Sequence, residues 1–366
     1  MPEFDYTNPR DLLSPSIVRK LAGIHEYRGK QELYAQARSD VLKQLLASAR
    51  VESVGSSNRI EGIATSQRRL SAIMDGSLQP HTRDEQDIAG YRDVLALIHE
   101  SHEFMKVTPG VILQMHAMLY KHSGHGFAGK WKDTDNAIIE RDADGSERVR
   151  FRPLSAVAVP AAMDELCAQY ETALSSEALD PLLLIARFVF DFVSIHPFTD
   201  GNGRMSRLLT LLLLYQNGFF VGKYVSIEGE IDRTRQAYYD ALEASSAGWN
   251  EGSNDYEPFV DYLLGVVTAC YADLDEKMTA LTSEAPMTKA QRVEAVFAGT
   301  LGKVSKSDIA ARCPDIASIT IERTLKQLLD EGKIEKVGAG RATAYVWKEN
   351  VNLAGPATEL PAKAFD

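Results

Sequence analysis

The stretch His196-Pro197-Phe198-Thr199-Asp200-Gly201-Asn202-Gly203-Arg204-Met205-Ser206-Arg207 is a polar, Gly- and Pro-bearing interval held between two strongly apolar runs. Upstream, Leu182, Ile185, Phe188, Val189, Phe192 and Ile195 cover one side of a helix expected over Pro181–Ile195; downstream, Leu208–Leu214 is apolar nearly all round a helix expected over Met205–Asn217. Both read as central core helices, and a polar loop fixed between two such helices is rigidly positioned, so chemistry is expected there. The loop ends at a helix N-terminus, where unpaired N–H groups and the helix dipole favour an anion, and Gly201 and Gly203 let the backbone approach it closely. Arg204 and Arg207 lie three residues apart in the first helical turn and suit a multiply charged phosphate chain. Asp200 offers a hard oxygen ligand for Mg²⁺, and His196 is the side chain here whose ordinary pKa suits taking a proton from a hydroxyl near neutral pH. Base, metal ligand and phosphate cradle together point to nucleotidyl or phosphoryl transfer.

Outward from the loop the chain reads as mainly α. Gln31–Ala49 and Asp87–Glu100 carry helical composition and spacing, Thr108-Pro109 is an N-cap followed by a first-turn proline, and further helices are expected over Ala156–Ala173 and Glu257–Leu281. Between Gly124 and Arg152 two short runs, Ala137–Ile139 and Arg148–Phe151, flank Asp142-Ala143-Asp144-Gly145 and predict a small β-hairpin. Past the Thr282–Pro286 linker, residues 287–349 predict helices around Ala290–Phe297, over Lys306–Arg312 and over Ser318–Asp330, then a hairpin from Ile334 to Trp347 turning at Gly338-Ala339-Gly340. That order is a winged helix-turn-helix. The expected domains are therefore 1–103 (helical, N-terminal), 104–281 (catalytic core) and 287–349 (winged helix), with 350–366 a disordered tail.

Composition narrows the function classes. The chain has 366 residues and a net charge of −11, which disfavours bulk coating of nucleic acid. Residues 287–349 hold eleven Lys/Arg against eight Asp/Glu, so that segment is net positive by 3. No apolar run approaches the roughly 20 residues of a membrane crossing, and the N-terminus lacks the basic start and apolar run of a secretory signal, so a cytoplasmic protein is expected. Cys167, Cys270 and Cys313 have no CxxC spacing and read as buried thiols rather than disulfide or zinc ligands. Neither HExxH nor GxxxxGK[ST] occurs, which argues against a zinc hydrolase or a Walker NTPase.

The loop resembles the Fic family signature HPFx(D/E)GNGRxxR, matched at every fixed position. A lone Gly-Asn-Gly turn near a histidine is ordinarily a helix-capping loop, but nine fixed residues at about one in twenty each make that reading untenable. The resemblance implies a mostly helical Fic-type core with a small β-hairpin flap, transferring AMP from ATP, the co-substrate, to a Ser, Thr or Tyr hydroxyl of a protein target and to itself. Carried over by position, His196 is the general base and Asp200 the Mg²⁺ ligand. Gly201, Asn202, Gly203 and Arg204 form the α- and β-phosphate cradle, and Arg207 reaches the γ-phosphate. Gly203 points to AMP rather than phosphoryl transfer. Asp133-Thr134-Asp135-Asn136-Ala137-Ile138 is similar to the family's flap, with Asp135, Asn136, Ala137 and Ile138 holding the target by strand addition. Lys132, Asp133 and Asp135 depart from the commoner flap sequences, which bears on target preference. Tyr238 and Tyr239 resemble the adenine-side pair.

Upstream, Ser57-Asn58-Arg59-Ile60-Glu61-Gly62 is similar to the (S/T)xxxE(G/N) inhibitory motif of family members whose regulatory helix precedes the core. The resemblance implies that Ser57, Glu61 and Gly62 form it, and that Glu61 makes a bidentate pair with Arg207, denying that guanidinium to the γ-phosphate. The same Glu could orient a water that removes AMP from a modified target. The alternative class is a winged-helix transcriptional regulator or scaffold with a nucleotide-sensing core. In the expected recognition helix Arg323 and Lys326 are offset by Glu322 and Asp330, so a protein-binding module is favoured over DNA binding. The sequence leaves the oligomeric state open, a homodimer included.

Overall fold

The computed structural model describes residues 4, 6, 12–37, 39–141, 147–283, 288–298, 303–313, 316–338, 340 and 343–348. The hairpin turn at 142–145, Ala339 and the tail 350–366 lie outside the described residues. The chain divides into two compact units, Met1–Met278 and Thr279–Asp366. The first is helical around one small sheet. It begins with α1 (Pro15–Ala37), α2 (Ser39–Ile60), α3 (Gln67–Met74), α4 (Arg83–Ser101) and α5 (Pro109–Leu119). The hairpin β1 (Ile138–Arg141) and β2 (Glu147–Phe151) follows, then α6 (Val159–Ser176), α7 (Pro181–Ile195), α8 (Asn202–Gln216), α9 (Ile227–Arg233), α10 (Arg235–Ser246) and α11 (Glu257–Ser283).

The core forms where the apolar runs predict it. Thirteen side chains of α7 and thirteen of α8 are buried, and α7 packs between α6 and α8 while α8 also touches α2 and α4. The one carboxylate inside α7, Asp191, is fully buried and accepts from Tyr6 Oη at 2.6 Å, Trp249 Nε1 at 2.8 Å and Tyr256 Oη at 3.0 Å. Burial still outweighs those donors and pushes its carboxyl up to about 6. The three cysteines are buried and none is in a disulfide, and no helix among the described residues is long and apolar enough to cross a membrane.

Several element boundaries differ from the sequence expectation, α4 for one starting at Arg83 where the reading began at Asp87. The span Gln31–Ala49 is helical on both sides of residue 38, which lies outside the described residues: α1 is described to Ala37 and α2 from Ser39. The helix read as starting at Met205 starts at Asn202: Gly201 takes a left-handed φ of +83° and Gly203, a poor helix former, lies inside the first turn. The helix expected from Ala156 opens with a single 3₁₀ turn at Ala156–Ala158, and the α-helix proper starts at Val159. β1 pairs antiparallel with β2, with a register irregularity between Ile138 and Ile139, so the strand starts only at the last residue of the flap segment.

In the second unit α12 (Lys289–Ala298), α13 (Lys306–Arg312) and α14 (Ser318–Asp330) pack with a three-stranded sheet ordered β3 (Val304–Ser305), β5 (Ala344–Trp347), β4 (Ile334–Val337). Val293, Phe297, Ile309, Ile321, Leu325 and Tyr345 are among its core residues. A Ser305–Asp308 capping box starts α13.

Candidate active site

His196 is delivered by the end of α7. Asp180 caps that helix, accepting from Leu182 N at 2.9 Å, and Pro181 occupies its first turn. At the other end His196 is the C-cap in a left-handed conformation, φ +52° and ψ +61°, its N–H donating to the Phe192 carbonyl at 3.1 Å. For a residue with a Cβ that costs about 1–2 kcal/mol, a strain that surrounding structure must hold. The hold is visible: the Pro197 carbonyl accepts from Lys132 N at 2.9 Å, and Phe198 is buried face to face on His116, centroids 3.7 Å apart and planes within 6°. The loop also closes on itself, Phe198 N donating to Asn202 Oδ1 at 2.9 Å and Asn202 Nδ2 to the Phe198 carbonyl at 2.8 Å.

His116, on α5, sits directly beneath the loop. Its Nδ1 accepts from Gly129 N at 3.0 Å, which places its proton on Nε2, and Nε2 donates to the Asp200 carbonyl at 3.0 Å. Burial draws its pKa down to about 4, so this tautomer holds through the neutral range. Gly201 then turns the chain with its α-carbon close to Tyr120: a Cβ there would lie 2.9 Å from the Tyr120 hydroxyl. Gly201→Ala combines that clash with a positive φ and should lower stability by about 1–3 kcal/mol, read as a lower chemical-denaturation midpoint at unchanged slope.

The first turn of α8 carries no side-chain cap, so its leading N–H groups are available to an anion. Asp200 stands beside it with its side chain 46% exposed, Oδ1 accepting from Gly201 N at 2.7 Å and Oδ2 3.7 Å from Arg83 Nη2. Among the described residues no cluster of three His, Cys, Asp or Glu side chains could cage a metal. One accessible carboxylate next to a phosphate cradle is the donor set of a mostly hydrated Mg²⁺ shared with a nucleotide, and Asp200 fits it.

The two arginines part company. Arg204 is 1% exposed and turned to α4 and α5: Nη2 donates to Tyr120 Oη at 2.7 Å and Nη1 lies 3.2 Å from Asp87 Oδ2. Its guanidinium does not project beside that of Arg207, and the Asn202 amide is engaged by Phe198. Arg207, 3% exposed, instead faces α2, with Nε on Ser57 Oγ at 2.8 Å and Nη2 on the Ser57 carbonyl at 2.9 Å and on Glu61 Oε1 at 2.7 Å. The Glu61 contact uses one carboxylate oxygen, not the expected two, because Ser57 already occupies Nε. Glu61 follows a 22-residue helix and Gly62 turns the chain behind it at φ +76°. A Cβ at Gly203 would collide with Glu61 Oε1, so the carboxylate lies against the first turn of α8 as well as on Arg207.

Tyr238 is buried close to both groups. Burial first, with Arg207 opposing and Glu61 reinforcing, raises its phenol pKa. Tyr239 is half-buried, and its carbonyl accepts from Arg150 Nη2 at 3.1 Å, with the Arg150 guanidinium 5.5 Å over its ring. Arg150 belongs to β2, so the hairpin is tied to α10. In the flap, Asp135 Oδ1 accepts from Ala156 N at 2.7 Å and Asn136 Oδ1 from Lys132 Nζ at 2.8 Å, while Ala137 and Ile138 are half-buried. Sequence reading missed His116, Arg150 and Asp87. A histidine on the apolar face of α5 was the only local signal for any of them.

Residues 106–214, which span α5, the hairpin and the whole His196–Arg207 loop, match the Fic/DOC family model. The protein adenylyltransferase fic-1 of Caenorhabditis briggsae is 27% identical over 266 residues, 70% of this chain and 46% of that protein. A Fido domain-containing protein of Dictyostelium discoideum is 34% identical over 86 residues, 24% of this chain and 58% of that protein. The chain spans about half the length of the curated adenylyltransferases it matches first. The structure of a Fic family protein from Desulfovibrio desulfuricans G20 superposes with a TM-score of 0.58 at 21% identity, covering 95% of this chain and 98% of that one. At that identity the Fic likeness is one of fold.

Proposed function

We propose that this protein is an adenylyltransferase that moves AMP from ATP to a Ser, Thr or Tyr hydroxyl of a protein target and to itself, held back by Glu61. The observation that carries the reading is the meeting, at the N-terminus of α8, of a neutral buried imidazole, an accessible carboxylate and an arginine engaged by a glutamate from another helix. His196 is drawn down to about 4, mainly by burial and then by Lys132, and so stands ready as a proton acceptor at neutral pH. The target oxygen attacks the α-phosphorus as its proton passes to the imidazole; the new O–P bond forms as the bond to pyrophosphate breaks. Mg²⁺, when bound at Asp200, supplies charge neutralisation on the phosphates. The first-turn N–H groups of Asn202, Gly203 and Arg204 hold the α- and β-phosphates, Arg207 the γ-phosphate, and Tyr238 and Tyr239 flank the adenine.

Among the described residues this sheet consists of β1 and β2 alone, which suits target capture by strand addition from the Asp135–Ile138 side. With Glu61 in place the site could also direct a water at an AMP–protein bond. The three helices and three-stranded sheet of the second unit support a winged-helix reading. There Lys306 pairs with Glu322 at 3.0 Å, and Ile319 at the start of α14 is 80% exposed, features of a target adaptor more than of a phosphate-neutralising helix.

Asp200→Ala tests the metal assignment. AMP incorporation and Mg²⁺-dependent nucleotide binding, followed by calorimetry with and without the metal, should fall together, incorporation by about 100-fold or more. A variant whose nucleotide binding keeps its full Mg²⁺ dependence would remove Asp200 from the ligand role.

A further inference from the structure

Lys132 is tied to the His196 loop twice. Its backbone N–H donates to the Pro197 carbonyl at 2.9 Å and its ammonium reaches the Ile195 carbonyl at 3.5 Å, so it grips the chain on both sides of the base. The same ammonium donates to Asn136 Oδ1 at 2.8 Å, in the segment that leads into β1, and the residue is 3% exposed. Those partners are neutral oxygens. A buried ammonium without a carboxylate bonded to it costs several kcal/mol, more than such bonds return, so stability alone gives no reason for a lysine here.

We infer that Lys132 is a positioning residue of the transfer site, registering the target-binding segment against His196 and setting a positive charge beside the imidazole. The inference rests on the adenylyltransferase reading. Around the imidazole stand Lys132 from this segment, Glu61 from the turn after α2, Asp200 from the loop and the Val193 carbonyl from α7; Lys132 itself is faced by Asp135. Lys132 lowers the His196 pKa, so a neutral residue in its place lets the imidazole keep its proton to higher pH, and the acid limb of the rate profile moves up. Burial draws Lys132 itself down to about 8, Asp135 opposing. Above that pH the charge-assisted grip on Asn136 weakens and transfer falls.

The test uses full-length Glu61→Gly protein, ATP and self-modification as the readout, comparing it with Lys132→Met, Lys132→Gln and Lys132→Arg in that background, together with NMR titration of the His196 ring. Both neutral variants should keep the KM for ATP within about two-fold, lose on the order of 10-fold in rate and raise the His196 pKa by about one unit. Lys132→Arg, charged at every accessible pH, should restore the acid limb and remove the alkaline one. An unmoved His196 titration in either folded neutral variant overturns the inference, as does a loss of ATP affinity equal to the loss of rate. A shifted titration in a protein that never incorporates AMP would leave the electrostatic placement standing and sink the transferase reading instead.

Discussion

Glu61→Gly protein should incorporate AMP, into itself and into a target, roughly 10- to 100-fold faster than the parent. The figure follows from the charge-assisted hydrogen bond it removes: Glu61 Oε1 to Arg207 Nη2 at 2.7 Å, on a guanidinium that is 3% exposed, is of the kind worth about 1.5–3 kcal/mol. Two things change at once in that variant. Arg207 regains a donor for the γ-phosphate, and the carboxylate that lies where a Cβ of Gly203 would be is gone from the phosphate cradle. ATP can then settle with its α-phosphorus in line for attack. Arg207→Ala should be nearly inactive with or without Glu61, since the γ-phosphate loses its partner in both. A Glu61 that merely ended a surface helix would change stability by about 1 kcal/mol or less and leave the rate alone. One that served as the base would lower the rate, so the sign of the change in a radiolabel incorporation assay separates the three roles.

Replacing His196 by Ala in the Glu61→Gly background should cost about 10²- to 10⁴-fold in transfer, the usual share of a positioned acid–base group, with ATP affinity unchanged within a few-fold. The phosphates are assigned to the first turn of α8 and to Arg207, not to the imidazole, so its loss should fall on the rate. An equal loss of nucleotide affinity would assign His196 to loop structure, a role its left-handed C-cap geometry makes a fair rival.

The candidate loop was legible because its residues are local: histidine, carboxylate, two glycines and two arginines fall within twelve residues. What lay outside that window was read less well. Arg204 and Arg207, three residues apart, start only about 60° apart around the helix, yet one side chain turns to Tyr120 and Asp87 and the other to Ser57 and Glu61; adjacency in the first turn predicted a shared task that packing divides. Asp87, which pairs with Arg204, and His116, which holds Asp200, come from helices 84 or more residues earlier, a distance no spacing rule covers. Lys132 was noticed only as a departure in the flap, because its significance lies in the two loop carbonyls it bridges. β3, two residues long, is too short to leave a periodic signal.

The most direct measurement is an intact-mass spectrum of Glu61→Gly protein incubated with ATP and Mg²⁺, beside the Glu61→Gly, His196→Ala double variant. The account predicts a gain of one AMP moiety or more in the first and an unmodified mass in the second. An unmodified Glu61→Gly protein, or a gain of phosphate in place of AMP, would contradict it.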